Sequence, residues 1–280
     1  MILMFGASSD IGIRATKKLL DRGHKMRLVA RDPTALDSRA ELVAGDISCA
    51  SSVVADADAV ISCAHARFTK TLIESLNGHH PKLVLVGSAW RYSGVAEEGG
   101  EAVRAAEAIF LNSRRDGVML HPTMIYAGKQ ENNLGRLLDA LRRSPILPLP
   151  GGGINLVQPI HVDDVAECLV AAATRNWEGP HIVPICGPKP MRWRDMAALC
   201  AEALGRRIYM VPVPLAPAIA VLSIPRRMGF GWLDPNILRR LREDVSFSPN
   251  EMIALLGVSP RDFASGIRQF VAERSSCDEA

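Results

Sequence analysis

None of the six cysteines (Cys49, Cys63, Cys168, Cys186, Cys200 and Cys277) forms a Cys-x-x-Cys spacing or stands by a histidine pair. This excludes the common zinc-binding and dithiol-exchange patterns, so no metal is expected and the thiols read as reduced in a cytoplasmic protein. Charge of one sign is lacking too. Lys and Arg number 33 against 30 Asp and Glu, a net +3 with no dense basic block, so no nucleic-acid partner is expected. Long apolar runs are also missing. The apolar start ends at Gly6 without a basic leader, short of the ~7–15 residues of a secretion-signal core. Val211 to Pro225 ("VPVPLAPAIAVLSIP") is shorter than the ~20 residues of a membrane span and is broken by proline. A lid or pocket-lining helix is expected there, with no membrane span. No repeat or low-complexity tract interrupts the chain, and nothing in it fixes an oligomeric state.

What is present is a chain of 280 residues with 48% apolar content, enough for one large core or a principal domain with a smaller partner. In the first half, short apolar runs alternate with helical patterns. Strands are expected at Ile2–Phe5, Met26–Ala30, Glu41–Ala44, Ala59–Ser62, Lys82–Val86 and Val118–His121. Helices are expected at Ile11–Arg22, Ala66–Leu76 and Glu101–Arg114. This rhythm predicts an α/β fold with a doubly wound parallel sheet. Ligands of such sheets bind beyond the carboxyl ends of the strands, where the strand order reverses. The informative residues should therefore follow the strands.

After the first strand comes "GASSDIG". A dinucleotide fingerprint needs glycine where the chain turns, where backbone meets pyrophosphate, and where helix packs on strand. Gly6 and Gly12 meet the first and last needs. Ser8 and Ser9 offer hydroxyls and N–H groups to a phosphate at the start of the helix, with Asp10 and Ile11 completing the loop. After the second strand, "VARDP" places Arg31 where a dinucleotide site meets the adenosine ribose. An arginine there pairs with a 2′-phosphate, so NADP(H) is favoured over NAD(H); the other reading is a solvated strand-end charge.

The segment "GASSDIG" resembles the glycine loops of the short-chain dehydrogenase/reductase superfamily, T-G-x-x-x-G-x-G and, in extended members, T-G-x-x-G-x-x-G. Asp10 or Ser9 stands at the middle glycine. "AGDIS" matches the family's acidic residue near adenine: Asp46 would accept from the adenine amino group and Ile47 pack on the ring, or Asp46 caps a helix. "SCAHA" (Cys63, Ala64, His65) stands at the family's loop beside the cofactor. "HPTMIYAG" resembles the extended members' segment whose proline, here Pro122, turns the chain beside the nicotinamide. His121, Tyr126 and Gln158 are its substrate-binding candidates. "LPLPGGGINLVQPIHVDDVAECLVAA" is the most specific match, with Asp163 or Asp164 placed to cap the following helix. The resemblance reaches from the first strand to a closing helix pair.

It implies a Rossmann domain over 1–150, with a return of the chain at about 151–176, and a small C-terminal α/β substrate domain over 177–280. The family's usual acid/base is a tyrosine four residues before a lysine, because a phenol of pKa ~10 needs a nearby cation. None of the three tyrosines has lysine at that spacing, and Gly99 and Val103 fall at the two places. Ser88 matches the serine that polarises a substrate carbonyl, and Tyr92 in the same loop is the replacement proton donor or a packing aromatic. The leading expectation is an atypical NADP(H)-dependent oxidoreductase acting on a small organic carbonyl or conjugated double bond. The alternatives are a noncatalytic NADP(H)-binding sensor or assembly factor, and a sugar-nucleotide epimerase or dehydratase.

Overall fold

The computed structural model describes residues 1–76, 78–94, 98–128, 133–214 and 243–278. In chain order its strands are β1 (Ile2–Phe5), β2 (Met26–Ala30), β3 (Glu41–Ala44), β4 (Ala59–Ser62), β5 (Lys82–Val86), β6 (Gly117–Pro122), β7 (Ile125–Tyr126), β8 (Ile146–Pro150), β9 (Leu156–Val157), β10 (Ile160–His161), β11 (Pro180–Ile185), β12 (Met191–Arg192) and β13 (Tyr209–Val213). The helices are α1 (Asp10–Asp21), α2 (Ala50–Val53), α3 (Thr69–Ser75), α4 (Glu98–Ser113), α5 (Asn133–Arg143), α6 (Val162–Thr174), α7 (Trp193–Ala203), α8 (Asn250–Leu256) and α9 (Phe263–Asp278).

The first compact unit comprises residues 1–123, 162–186 and 249–260. Its sheet is fully parallel in the order β11-β6-β5-β4-β1-β2-β3. The order reverses between β1 and β4, which opens a crevice at their carboxyl ends. Both central strands are buried along their whole length. This is why they read as unbroken apolar runs: each face is covered by helices. One face packs Leu3, Phe5, Val60, Leu83 and Leu85 against Leu72 of α3 and Val103, Ala106 and Phe110 of α4. Burying each large side chain contributes roughly 1.5–3 kcal/mol. Over the other face α1 and α6 lie together. They are joined by Arg14 to Asp163 at 2.5 Å and by Lys18 and Arg22 to Glu167 at 2.6 and 2.7 Å. Asp163 and Asp164 lie inside the first turn of α6 and so are not its N-cap, though a carboxylate there still favours the helix dipole.

The second unit comprises residues 124–161, 187–248 and 261–280. Among its described residues β7 pairs with β10 and β8 with β13, both parallel, while β9 and β12 run antiparallel. Leu137, Leu141, Met196, Cys200, Phe263 and Ile267 from α5, α7 and α9 are buried. The expected division at 150 is corrected. The chain leaves the first unit after Thr123, because β7 pairs with β10 of the second unit, and returns at Val162 with α6 and β11. The stretch expected to be a helix from Val211 begins instead as the end of β13, and residues 215–225 lie outside the described residues.

Candidate functional site

At the crevice, β1 ends in Gly6 at φ +73, a conformation that favours glycine. A Cβ on it would lie 2.9 Å from the Ala64 nitrogen and the Cys63 carbonyl carbon, and one on Gly12 would lie 2.5 Å from the Gly6 oxygen. The two glycines thus let the loop fold flat against the exit of β4, where Cys63 N–H also donates to the Phe5 carbonyl at 2.9 Å. Ser9 occupies the missing middle glycine and caps α1. Its Oγ accepts from Gly12 N–H at 3.1 Å and donates to the Gly6 carbonyl at 2.8 Å. Its hydroxyl therefore closes the loop and is not spare for phosphate. The exposed Ser8 and the Ile11 backbone keep N–H groups that donate to no acceptor among the described residues. Such N–H groups at a helix N-terminus suit an anion, and the cradle fits a pyrophosphate. Asp10 lies in the first turn of α1.

Beyond β2, Arg31 is exposed and makes no hydrogen bond among the described residues; its nearby charge is Asp46, whose carboxyl it helps to lower. Asp32 is engaged elsewhere, accepting from Thr34 N–H at 3.0 Å and Thr34 Oγ1 at 2.6 Å. Asp46 caps the short turn Ile47–Cys49, with Ser48 N–H and Oγ at 2.8 and 2.6 Å from Oδ1. Those bonds hold its carboxyl below the usual range. Ile47 points into the apolar core, so it offers no face to an adenine ring, contrary to expectation. Burial pushes the Cys63 thiol up to about 12, leaving it unreactive near neutrality. His65 caps the next turn, its Nδ1 accepting from Arg67 N–H at 3.2 Å.

The ends of β5 and β6 carry a tighter constellation. Ser88 caps the 3-10 turn Ala89–Tyr92, and its Oγ accepts from Trp90 N–H at 3.3 Å, which leaves its own O–H to donate outward. Its backbone N–H donates to His121 Nδ1 at 3.0 Å. On the other side of the ring, His121 Nε2 lies 3.1 Å from Glu107 Oε2, which also accepts from Arg91 Nε at 2.7 Å. Tyr92 is 44% exposed, and its ring meets the imidazole edge-on at 5.8 Å. Burial and the Glu107 carboxylate raise its phenol above the ordinary value, against Arg91. Gly87 is needed beneath, since a Cβ there would overlap the His121 ring.

Glu107 was not singled out in the sequence. Its signal is there all the same: Val103, Ala106 and Phe110 form the buried stripe of α4, and a carboxylate inside such a stripe calls for a partner. The two positions expected to correspond to the usual acid/base pair have these surroundings. A side chain at Gly99 would meet the Trp90 ring at 3.3 Å, and Val103 is buried in the core.

Three substrate-binding expectations change. His121 is fully buried, with both ring nitrogens engaged. Tyr126 is buried edge-on to His161, with ring centres 5.0 Å apart, and it packs on Phe263. Gln158 is buried as a clamp: Nε2 donates to the Gly187 and Phe247 carbonyls at 2.8 and 2.9 Å, and Oε1 accepts from Phe247 N–H at 2.7 Å. Pro122 ends β6, buried, beside the Thr123 N–H bond to Ile185. Among the described residues, no group of three or more His, Cys, Asp or Glu could hold a metal, and no helix is long and apolar enough to cross a membrane.

Residues 6–176, from the glycine loop to the end of α6, match the model of the NAD(P)H-binding family. The chain belongs to that family. Among curated relatives of this NAD(P)H-binding chain, an Arabidopsis thaliana protein, mitochondrial NADH dehydrogenase [ubiquinone] 1 alpha subcomplex subunit 9, is 29% identical over 123 residues. The aligned stretch covers 42% of this chain and 30% of that protein. The Sinorhizobium fredii protein y4nG is 24% identical over 59% of this chain and 42% of its own. The chain thus spans less than half the length of either relative. Solved structures match along nearly all of it. UDP-glucose 4-epimerase of Thermotoga maritima with UDP-glucose has a TM-score of 0.75 at 14% identity, covering 99% of each chain. MoeE5 in complex with UDP-glucuronic acid and NAD has 0.73 at 19%, covering 98% and 99%. The Bacillus anthracis dTDP-glucose 4,6-dehydratase with NAD has 0.74 at 16%, covering 99% and 97%. At these identities the likeness establishes the Rossmann-type fold of the epimerases and dehydratases, as the sequence resemblance implied.

Proposed function

We propose that the chain is an NADP(H)-dependent oxidoreductase that reduces a small organic carbonyl or conjugated double bond. The observation that carries this reading is that the glycine cradle and the Ser88–Tyr92 turn follow the carboxyl ends of β1 and β5, the two parallel strands that flank β4. The dinucleotide, when bound, supplies a hydride. The flat loop at Gly6 and Gly12 admits its pyrophosphate. Arg31, with no other hydrogen-bond partner among the described residues, pairs with the 2′-phosphate and selects NADP over NAD. Ser88 Oγ donates to the substrate carbonyl oxygen, where negative charge develops. The Tyr92 hydroxyl, protonated at neutral pH as an ordinary phenol is and raised further by burial, gives that oxygen its proton.

A second reading, noncatalytic NADP(H) binding, is favoured by the first two turns of α4, where Gly99 is covered by Trp90 and Val103 is sunk in the core. Sugar-nucleotide chemistry of the kind named for the structural neighbours needs a base to take a hydroxyl proton, and neither Gly99 nor Val103 supplies one. Loss of reduced-nicotinamide absorbance, followed with a panel of aldehydes, ketones and enones, separates the readings. Acceleration by one class is expected. Saturable NADPH binding with no acceleration by any acceptor would favour the noncatalytic role.

A further inference from the structure

The turn that carries Ser88 also carries Arg91. Ser88 caps the turn and Arg91 lies within it three residues on, where its backbone N–H donates to the Ser88 carbonyl at 3.1 Å. Arg91 is thereby tied to the serine at the same strand end. Its stem is fixed from beneath, because Nε donates to Glu107 Oε2 at 2.7 Å and buried Glu107 is itself held by His121. The rest of the guanidinium is idle. Nη1 and Nη2 have no hydrogen-bond partner among the described residues, and the side chain is 35% exposed. A purely structural arginine–carboxylate pair tends to engage both ends of the fork in two parallel bonds. Here one N–H holds the side chain in place, and the four N–H donors of the two terminal nitrogens are left over. Tyr92 lies against the same group, its ring centre 5.3 Å from the guanidinium carbon.

We infer that Arg91 anchors a carboxylate on the substrate, so that the compound reduced is an oxo acid or an unsaturated acid, with its reacting group held next to Ser88. This rests on the oxidoreductase reading and narrows it. The planar fork matches a planar carboxylate, and Glu107 neutralises the resident charge so that the free enzyme does not carry an isolated cation. Neutral aldehydes and ketones of the same size lack the anchor.

Calorimetric titration of the full chain with pyruvate and with its neutral amide, each with and without saturating NADP, tests this. Pyruvate is expected to bind about tenfold or more tightly than the amide, the size of one charge-assisted contact. The double substitution Arg91→Met with Glu107→Gln removes both charges of the pair together and keeps a hydrogen-bonding partner for His121. It should abolish the preference while NADPH affinity and the thermal transition stay close to those of the parent. Equal affinity for the two probes, no binding of either, or a preference that survives in the double variant would overturn the assignment. Failure to bind NADPH sinks the oxidoreductase reading instead, and the comparison without cofactor still decides the role of Arg91.

Discussion

The backbone N–H of Ser88 donates to Nδ1 of His121, and this one bond fixes the imidazole proton on Nε2, facing Glu107. Protonation would put a second N–H against that of Ser88. Burial accordingly lowers the His121 pKa below its ordinary 6.5, and Glu107 opposes the shift only in part. The folded value is the lower one, so as pH falls below about 6.5 the unfolded chain takes up the proton first. Stability should fall from there and the loss be complete below the folded value. Urea midpoints measured across this range should slope downward toward acid, and the slope should flatten in His121→Gln. An unchanged slope would show that another group is responsible. Asp37, held at about 2 mainly by its hydrogen bonds to Arg39, contributes its own loss only at more acid pH.

Arg31 should decide between the two cofactors. A charge-assisted contact of about 1–3 kcal/mol with the 2′-phosphate means that Arg31→Ala weakens NADPH about tenfold or more and leaves NADH nearly unchanged. Titration of both cofactors into parent and variant measures the ratio. Equal losses would assign the arginine some other task.

The cradle depends on the absence of a Cβ. Gly6→Ala meets both the positive φ and the Cys63–Ala64 backbone, whereas Gly23→Ala, at φ +82, meets the φ cost alone, with nothing within 4 Å of the added carbon. Strain of this kind costs about 1–3 kcal/mol. Both variants should lose stability in thermal melts, Gly6→Ala by more, and only Gly6→Ala should lose nucleotide binding.

Tyr92→Phe should lower turnover by at least about 10², the smaller cost of losing a general acid, and leave NADPH affinity intact. Ser88→Ala should do the same through lost carbonyl polarisation. Steady-state rates beside NADPH titrations check both. Full turnover in the two variants would move the proton source to solvent or substrate.

The central sheet was legible because β1, β4 and β5 are buried on both faces and read as apolar runs between turn residues. The second unit was less so: β7, β9, β10 and β12 are two residues long, too short for any periodicity, and the chain crosses between units at Thr123, before the boundary that the family resemblance implied. The glycine loop could be located but not its hydroxyl chemistry, since sequence does not say that Ser9 turns back on Gly6. His121, Tyr126 and Gln158 looked like ligand contacts because a polar side chain beside a strand end reads the same whether it faces a cleft or a buried carbonyl. Glu107 was not legible because a charged residue on a long helix reads the same in sequence whether it faces water or a buried histidine.

The most direct test of the proposed chemistry is isotopic. NADPH carrying deuterium at the reactive nicotinamide carbon is incubated with the protein and a panel of oxo and unsaturated acids, and the products are weighed by mass spectrometry. One deuterium should appear in the product of at least one acceptor, with transfer abolished or strongly reduced in Tyr92→Phe. NADPH bound at saturation with no deuterium in any product would contradict hydride transfer and leave the chain a nucleotide-binding protein.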